Sequence, residues 1–315
     1  PMIIRQIRAL GIGMDRIEYV LLTHTHADHI GAVPHLKRKW PHLKLVASAP
    51  AARVLNTSEM YNEFLLVDLG IAQLMKAKGE IEGMPAIPET YRFEVDLVVK
   101  GVDTIELGDG IVWEIIDTPG HSACHISAYE RKEGTLVVGD ATGFYVPEKD
   151  LFWPNYFVSL TTYLDSIRKL SSFPARRAVL SHNAVIESDV YRYFEKAMKA
   201  TREYHEGTIS RLGRGDSAES IALERAQFVS TLTDIQPFKV MYDLCKLMIH
   251  RSRVNGVASS FFLLQNPEGS VPDAPVLEPE ESAKASSDFG AIMLPQKKMS
   301  LSLNDRLSLM ALIDE

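Results

Sequence analysis

The chain has 315 residues, 46% hydrophobic and 24% charged, with a formal net charge of −7. That is more apolar content than one ordinary core needs and an ordinary charge load for a soluble protein, so one main globular domain with an appendage is expected. The basic stretches LKRKW (36–40) and ARR (175–177) are too short to track a phosphate backbone, and nucleic acid is not an expected partner. Cys124 and Cys245 are too few for a disulfide framework, and no apolar run is long enough for a bilayer, so a reducing, cytoplasmic setting without a membrane partner is expected. The chain opens on Pro1 without a charged-then-apolar leader, as a processed or truncated chain also would.

In chain order, MIIRQIRALGI reads as a short amphipathic helix and RIEYVLLT as a buried strand that runs into a histidine cluster. GAVPHLKRKW is predicted helical, LKLVAS a strand, and the stretch from Ala51 to about Lys78 mostly helical, followed by the Gly/Pro-punctuated loop GEIEGMPAIPET. Short strands follow in DTIELGDG, IVWEIIDTPG, HISAYERKEG and TLVVGDA, with ERKEG marking a hairpin. TTYLDSIRKLSSF returns to helical spacing, and RRAVLSHNAV gives one more strand ending in a histidine. From Glu187 to about Arg253 the pattern is helical, read as a separate module, with Asp216 and Glu219 forming a capping box inside the sequence RGDS. Residues 266–300, rich in Pro, Ser and Glu, read as a linker or surface arm, and the last fifteen residues as a small apolar patch.

The stretch HTHADH places His24, His26, Asp28 and His29 within six positions at a strand end. Imidazole nitrogens and carboxylates so spaced suit a zinc or iron site fed from a strand terminus and the loop beyond it. Three further segments each put a ligand-type residue at a predicted strand end: His121 in DTPGHSACH, Asp140 in VVGDA and His182 in VLSHNAV. Seven candidates therefore converge on one sheet edge. His35, His42, His205 and His250 read as surface or packing residues, His125 as either a partner of a ligand or a buried structural histidine, and Cys124 as a small buried residue.

With these motifs the chain resembles the metallo-β-lactamase-fold metallohydrolase superfamily, whose H-x-H-x-D-H signature is met by HTHADH. Its later His, Asp and His are matched in order by His121, Asp140 and His182. The resemblance covers roughly residues 1–186, and TPGHSACHISAY with GDA looks like the glyoxalase II, lactonase and thioesterase branches. It implies an α/β fold, an αββα sandwich in a catalytic domain 1–186, followed by a helical module 187–265 and a Pro/Ser-rich arm with a terminal segment, 266–315. It also implies one metal on His24, His26 and His121, a second on Asp28, His29 and His182, and Asp140 bridging both. The family begins with strands that are missing ahead of Pro1. The chain then reads as a fragment, or as a permuted form in which DRLSLMALIDE supplies the missing strand.

Two divalent ions contribute +4, Asp28 and Asp140 −2 and a bridging hydroxide −1, leaving a net +1 suited to hydroxide attack on a carbonyl. Zinc is the leading expectation, with iron or manganese also accepted by such donors. Asp28 is assigned a shared ligand and acid–base role by the resemblance. Tyr145 is a candidate to polarise a carbonyl, lying in a run with six aromatic residues (143–157) that either walls an apolar pocket or buries the sheet edge under the helices. The expected function is hydrolysis of an ester, thioester or lactone, with a small acyl substrate as partner and homodimer formation left open. The alternatives are a phosphodiesterase, disfavoured by the acidic balance, and a metal-bearing ligand-binding regulator with little turnover. A redox di-iron reading loses ground because that branch replaces the second histidine with glutamate, whereas His26 stands unaltered.

Overall fold

The computed structural model describes residues 2–79, 81–84, 93–233 and 236–255. Helices α1 (Met2–Ala9), α2 (Ala27–Ile30), α3 (Val33–Lys39), α4 (Ala49–Leu55) and α5 (Ser58–Ala77) alternate early with strands β1 (Tyr19–Leu21) and β2 (Lys44–Ser48). Strands β3 (Leu97–Val99), β4 (Thr104–Glu106), β5 (Val112–Asp117), β6 (Ile126–Glu130) and β7 (Thr135–Gly139) follow, then the hairpin β8 (Phe144–Val146) and β9 (Leu151–Trp153). The chain continues through α6 (Leu160–Ser171), β10 (Arg177–Leu180), β11 (Val185–Ile186), α7 (Val190–Gly213), α8 (Ala218–Val229) and α9 (Phe238–Asn255).

The parallel strands β1-β2-β3 form one sheet, and β11-β10-β7-β6-β5-β4 form a second in which only the β10–β7 pairing is parallel. The period-2 alternation of strand side chains explains how both faces of each sheet are buried. In β2, Val46 points between the sheets while Leu45 and Ala47 meet a cluster with Ile30, Val33, Ala51 and Leu55 from the adjoining helices. On the other sheet, Ile115, Ile126 and Ala128 line the interior between the sheets, while Ile116, Tyr129, Leu136 and Val138 face α6 and the later helices. The layers are helix, sheet, sheet, helix, as an αββα sandwich requires.

The outer cluster runs without a break from Leu136 and Val138 through Leu160, Leu164 and Ile167 of α6 to Phe194, Ile221, Cys245 and Met248 of α7, α8 and α9. The helices beyond residue 187 therefore share an apolar cluster with the second sheet. No helix among the described residues is long and apolar enough to cross a membrane.

One local expectation is corrected. The helix cap after RGDS is Ser217, whose side chain accepts from Ser220 N; Asp216 instead takes the guanidinium of Arg211 at 2.7 Å. A serine hydroxyl one residue later has the reach for an N3 amide that the sequence reading gave to Asp216. The aromatic run 143–157 holds the β8–β9 hairpin, and β3, whose first two residues are exposed, has no counterpart among the expected strands. The expected surface arm 266–300, the terminal segment and most of the loop 79–90 lie outside the described residues.

Candidate metal centre

Strands β5, β7 and β10 run in the same direction, so their C-terminal ends lie at one edge of the second sheet. His121 sits in the turn after β5, Asp140 directly follows β7 and His182 follows β10. His24 follows β1 of the other sheet, and the two edges are stitched together by Ile126 N donating to Thr23 O at 2.8 Å. His26 then occupies the N-cap position of α2, and its extended backbone lets the helix turn Asp28 and His29 back toward the same point. The structure thus brings all seven sequence-predicted ligands together, in the groups His24–His26–His121, His24–His29–Asp140 and Asp28–His29–His182.

In the first group three ring nitrogens converge. His24 Nε2 lies 2.9 Å from His26 Nδ1 and 3.2 Å from His121 Nε2, with His26 Nδ1 3.0 Å from His121 Nε2. His121 Nδ1–H donates to the Asn155 carbonyl at 3.1 Å, which leaves Nε2 as a lone pair, and His24 Nδ1 is engaged with Thr23 Oγ1 at 3.1 Å. Three ring nitrogens this close, one of them the bare Nε2 of His121, form a pocket that a cation could occupy. Tetrahedral coordination at metal–nitrogen distances near 2.0–2.1 Å would space the nitrogens by about 3.3 Å, close to the separations seen.

In the second group Asp140 Oδ2 is shared: it lies 3.5 Å from His121 Nε2 and 3.6 Å from both His29 Nε2 and His182 Nε2. Asp28 Oδ2 is 3.5 Å from His29 Nε2 and 3.6 Å from His182 Nε2. These spacings exceed hydrogen-bond reach, and Asp140 Oδ1 is buried without a hydrogen-bond donor among the described residues. Orphaned buried acceptors set among imidazole lone pairs form a donor set that fits divalent metal ions.

The electrostatics agree. Burial, then the rings of His26, His29 and His121, hold His24 well below the usual histidine range. His26 is lowered in the same way by burial and then by His121 and His29, and His121 is lowered chiefly by burial. Burial opposes ionisation of Asp140, but the facing rings of His182 and His29 outweigh it and keep the carboxyl well below its ordinary value. Burial also acts against protonated His182, yet Asp140 and then Asp28 raise it overall. A charged carboxylate among neutral buried imidazoles is the state in which these side chains donate to a metal.

Tyr145 is placed apart from this cluster. Its hydroxyl donates to Asp150 Oδ1 at 2.9 Å, Lys196 of α7 holds the other Asp150 oxygen at 2.6 Å, and its ring packs on Phe152 and Tyr193. Burial and the Asp150 carboxylate push its phenol up to about 12. Its link to the centre is through the backbone: the Tyr145 carbonyl accepts from Asn183 Nδ2 at 2.9 Å, bracing the turn that carries His182. Phe152 and Trp153 pack into the cluster shared with α7, so this pair buries the sheet edge under the helices. Phe157, against the His121 ring, and Phe144, near His182, border the candidate ligands. The sequence reading missed Asn155 as the acceptor that orients His121, because a backbone carbonyl leaves no residue-type signal.

The profile described as the metallo-beta-lactamase superfamily matches residues 1–182. The chain belongs to that superfamily. It is 22% identical over 195 residues to the metallo-beta-lactamase fold-containing protein ST1585 of Sulfurisphaera tokodaii, covering 60% of this chain and 69% of that one. It is 28% identical over 179 residues to the atrochrysone carboxyl ACP thioesterase of Aspergillus fumigatus, covering 55% of this chain but only 40% of that protein. The solved metallo-beta-lactamase family protein TTHA1429 of Thermus thermophilus matches with a TM-score of 0.53 at 19% identity, over 79% of this chain and 78% of that one. A match over 79% of the chain extends past residue 182, so the shared fold takes in part of the helical region as well.

Proposed function

We propose that this superfamily member is a dinuclear metal-dependent hydrolase acting on the carbonyl of an ester, thioester or lactone. The observation that carries the reading is the position of Asp140 Oδ2, within 3.6 Å of imidazoles belonging to both ligand groups. His24, His26 and His121 would hold one ion and Asp28, His29 and His182 the other, with Asp140 between them. Zinc suits this nitrogen and oxygen set, and iron or manganese are the alternatives. When bound, such ions lower the pKa of water from about 15.7 to about 7 and polarise a carbonyl oxygen.

The chain's own residues then divide the work. His24 is fully buried and His121 nearly so, whereas the side chains of Asp28 and His182 are 27% and 25% exposed, so substrate approaches from the Asp28–His182 side. Asp28 directs one oxygen toward His29 and His182, leaving the other to take the proton of the attacking water and return it to the departing alkoxide or thiolate. Water adds to the carbonyl, the C–O or C–S bond breaks, and the leaving group departs protonated. Phe144, beside His182, supplies apolar surface at this approach for an acyl group. The thioesterase relative supports the choice of carbonyl chemistry.

The test is a panel of p-nitrophenyl esters, acyl thioesters, lactones, β-lactams and bis-p-nitrophenyl phosphate, offered to the zinc-loaded chain and to Asp140→Asn. Turnover of a carbonyl substrate that is abolished in a folded Asp140→Asn variant is expected. Turnover confined to the phosphodiester, or undiminished in the variant, would overturn the proposal.

A further inference from the structure

Beneath the ligands lies a closed file of hydrogen bonds whose direction can be read from both ends. At one end Ser127 Oγ donates to the Val138 carbonyl at 3.0 Å, which uses the only proton that hydroxyl has. Ser127 Oγ, 2.9 Å from Thr118 Oγ1, must therefore accept from Thr118. The Thr118 hydroxyl is then spent, so at 2.8 Å it accepts from His125 Nδ1, which must carry a hydrogen. At the other end the Asp140 backbone N–H, which can only donate, lies 2.9 Å from His125 Nε2, which must be the bare acceptor. The two ends independently require the same Nδ1–H tautomer.

The peptide that His125 grips is the one joining Gly139 to Asp140. Its other end is engaged too, since the Gly139 carbonyl accepts from the amide of Ser181, the residue before His182, at 3.4 Å. Gly139 has φ +65, and a Cβ there would stand 2.5 Å from His125 Nε2 and 2.7 Å from its Cε1. Only glycine lets the chain turn left-handed and approach the imidazole this closely. The His125 ring also lies against His24, with centroids 5.1 Å apart.

We propose that His125 is a positioning residue of the centre: fixed as the Nδ1–H tautomer by Thr118 and Ser127, it holds the Gly139–Asp140 peptide so that the Asp140 carboxylate is aimed between the two ligand groups. This rests on the reading of Asp140 as a shared metal ligand. It makes Thr118, His125 and Ser127 a buried support that links the ends of β5, β6 and β7, and through Ser181 it couples Asp140 to the placement of His182.

Two measurements on the whole chain test it. Long-range ¹H–¹⁵N spectra of the metal-free, ¹⁵N-histidine-labelled protein should show His125 protonated at Nδ1 and bare at Nε2; the opposite tautomer would overturn the proposal. Zinc affinity, read by competition with a chromophoric chelator, should fall about 10- to 100-fold in His125→Leu, and His125→Gln, which can offer an acceptor to the Asp140 amide, should recover most of the loss. Wild-type affinity in the Leu variant, or equal losses in both, would also overturn it. Should His125→Leu fail to fold, Thr118→Val keeps the imidazole and removes only its anchor: the Asp140 amide still requires a bare Nε2, so an unchanged tautomer with weakened zinc binding is expected, and wild-type zinc affinity in this variant counts against the file. If the wild-type chain binds no zinc, the metal reading fails, while the tautomer still decides whether the file exists.

Discussion

Replacing Gly120 with alanine should be among the most damaging single-methyl changes in the αββα sandwich. Gly120 has φ +126, a conformation open to glycine and strained for any residue with a Cβ. The added carbon would lie 2.3 Å from the Cα, 2.4 Å from the N and 2.6 Å from the Cβ of Tyr163, a fully buried residue in the first turn of α6. Ordinary contact starts at 3.4 Å, so helix and loop must part by about 1 Å. The loop is not free to move, because its carbonyls accept from Val158 N at 3.0 Å and from Ser166 Oγ at 2.7 Å. Backbone strain of about 1–3 kcal/mol and overpacking of about 1–3 kcal/mol give a loss of roughly 2–6 kcal/mol, a large part of the ~5–15 kcal/mol that stabilises a typical domain. Gly110→Ala is the control: φ is +74 but nothing lies within 4 Å, so only about 1–2 kcal/mol of left-handed strain is expected. Urea denaturation of the three proteins measures the difference. If Gly120→Ala costs no more than Gly110→Ala, the close approach to α6 is not what this glycine provides.

The metal-free chain should lose stability as pH falls from 7 to 5. His24, His26 and His121 are held below the unfolded histidine value and His125 is lowered to about 3, all with burial as the largest cause, so protons favour the unfolded chain. The stability these groups contribute is full above about pH 6.5 and falls by up to ~1.4 kcal/mol per pH unit for each, whereas raised His182 acts oppositely, losing its contribution as pH rises through its folded value. A urea midpoint in chelator that is flat or rising between pH 7 and 5 would contradict this. Ser217→Ala should cost about 1 kcal/mol as the loss of a helix cap, and Asp216→Ala less, since its pairing with Arg211 is partly exposed; the reverse order in urea titrations would restore Asp216 as the cap.

The ligands were legible because a metal site demands rare residue types at strand ends, and HTHADH, PGH, GDA and LSH each end a segment with a readable apolar pattern. Helices α6, α7 and α8 were legible for a similar reason: their apolar stripes face one cluster. The hairpin β8–β9 was not, because its three-residue strands are interrupted by Pro147 and Asp150, and such short runs carry too little alternation to distinguish strand from loop. Tyr145 lies on that hairpin, and its hydroxyl is bonded to Asp150, a partner the sequence pattern did not indicate. His125 stayed ambiguous in sequence because its role depends on hydroxyls of Thr118 and Ser127, seven positions before it and two after, which only the β5–β6 register brings to one side.

The origin of the ligands also ties metal binding to the fold. His24, His26, Asp28 and His29 follow a strand of one sheet, while His121, Asp140 and His182 follow strands of the other, and each proposed ion would take donors from both. An ion bound in this way would be a cross-link between the sheets at the edge already tied by the amide of Ile126 on Thr23 O and by Ser48 Oγ on the Cys124 carbonyl. The unfolded chain has no such preformed set, so binding favours the folded state by mass action, about 2.7 kcal/mol when free metal is 100-fold above its dissociation constant. The groups that ion would engage include three of the histidines whose burial costs stability in acid, and an ion competes with the protons they would otherwise bind. Three of the seven side chains, His24, His26 and His121, thus cost stability in acid when the sandwich is empty, and all seven would act as a clasp when it is loaded.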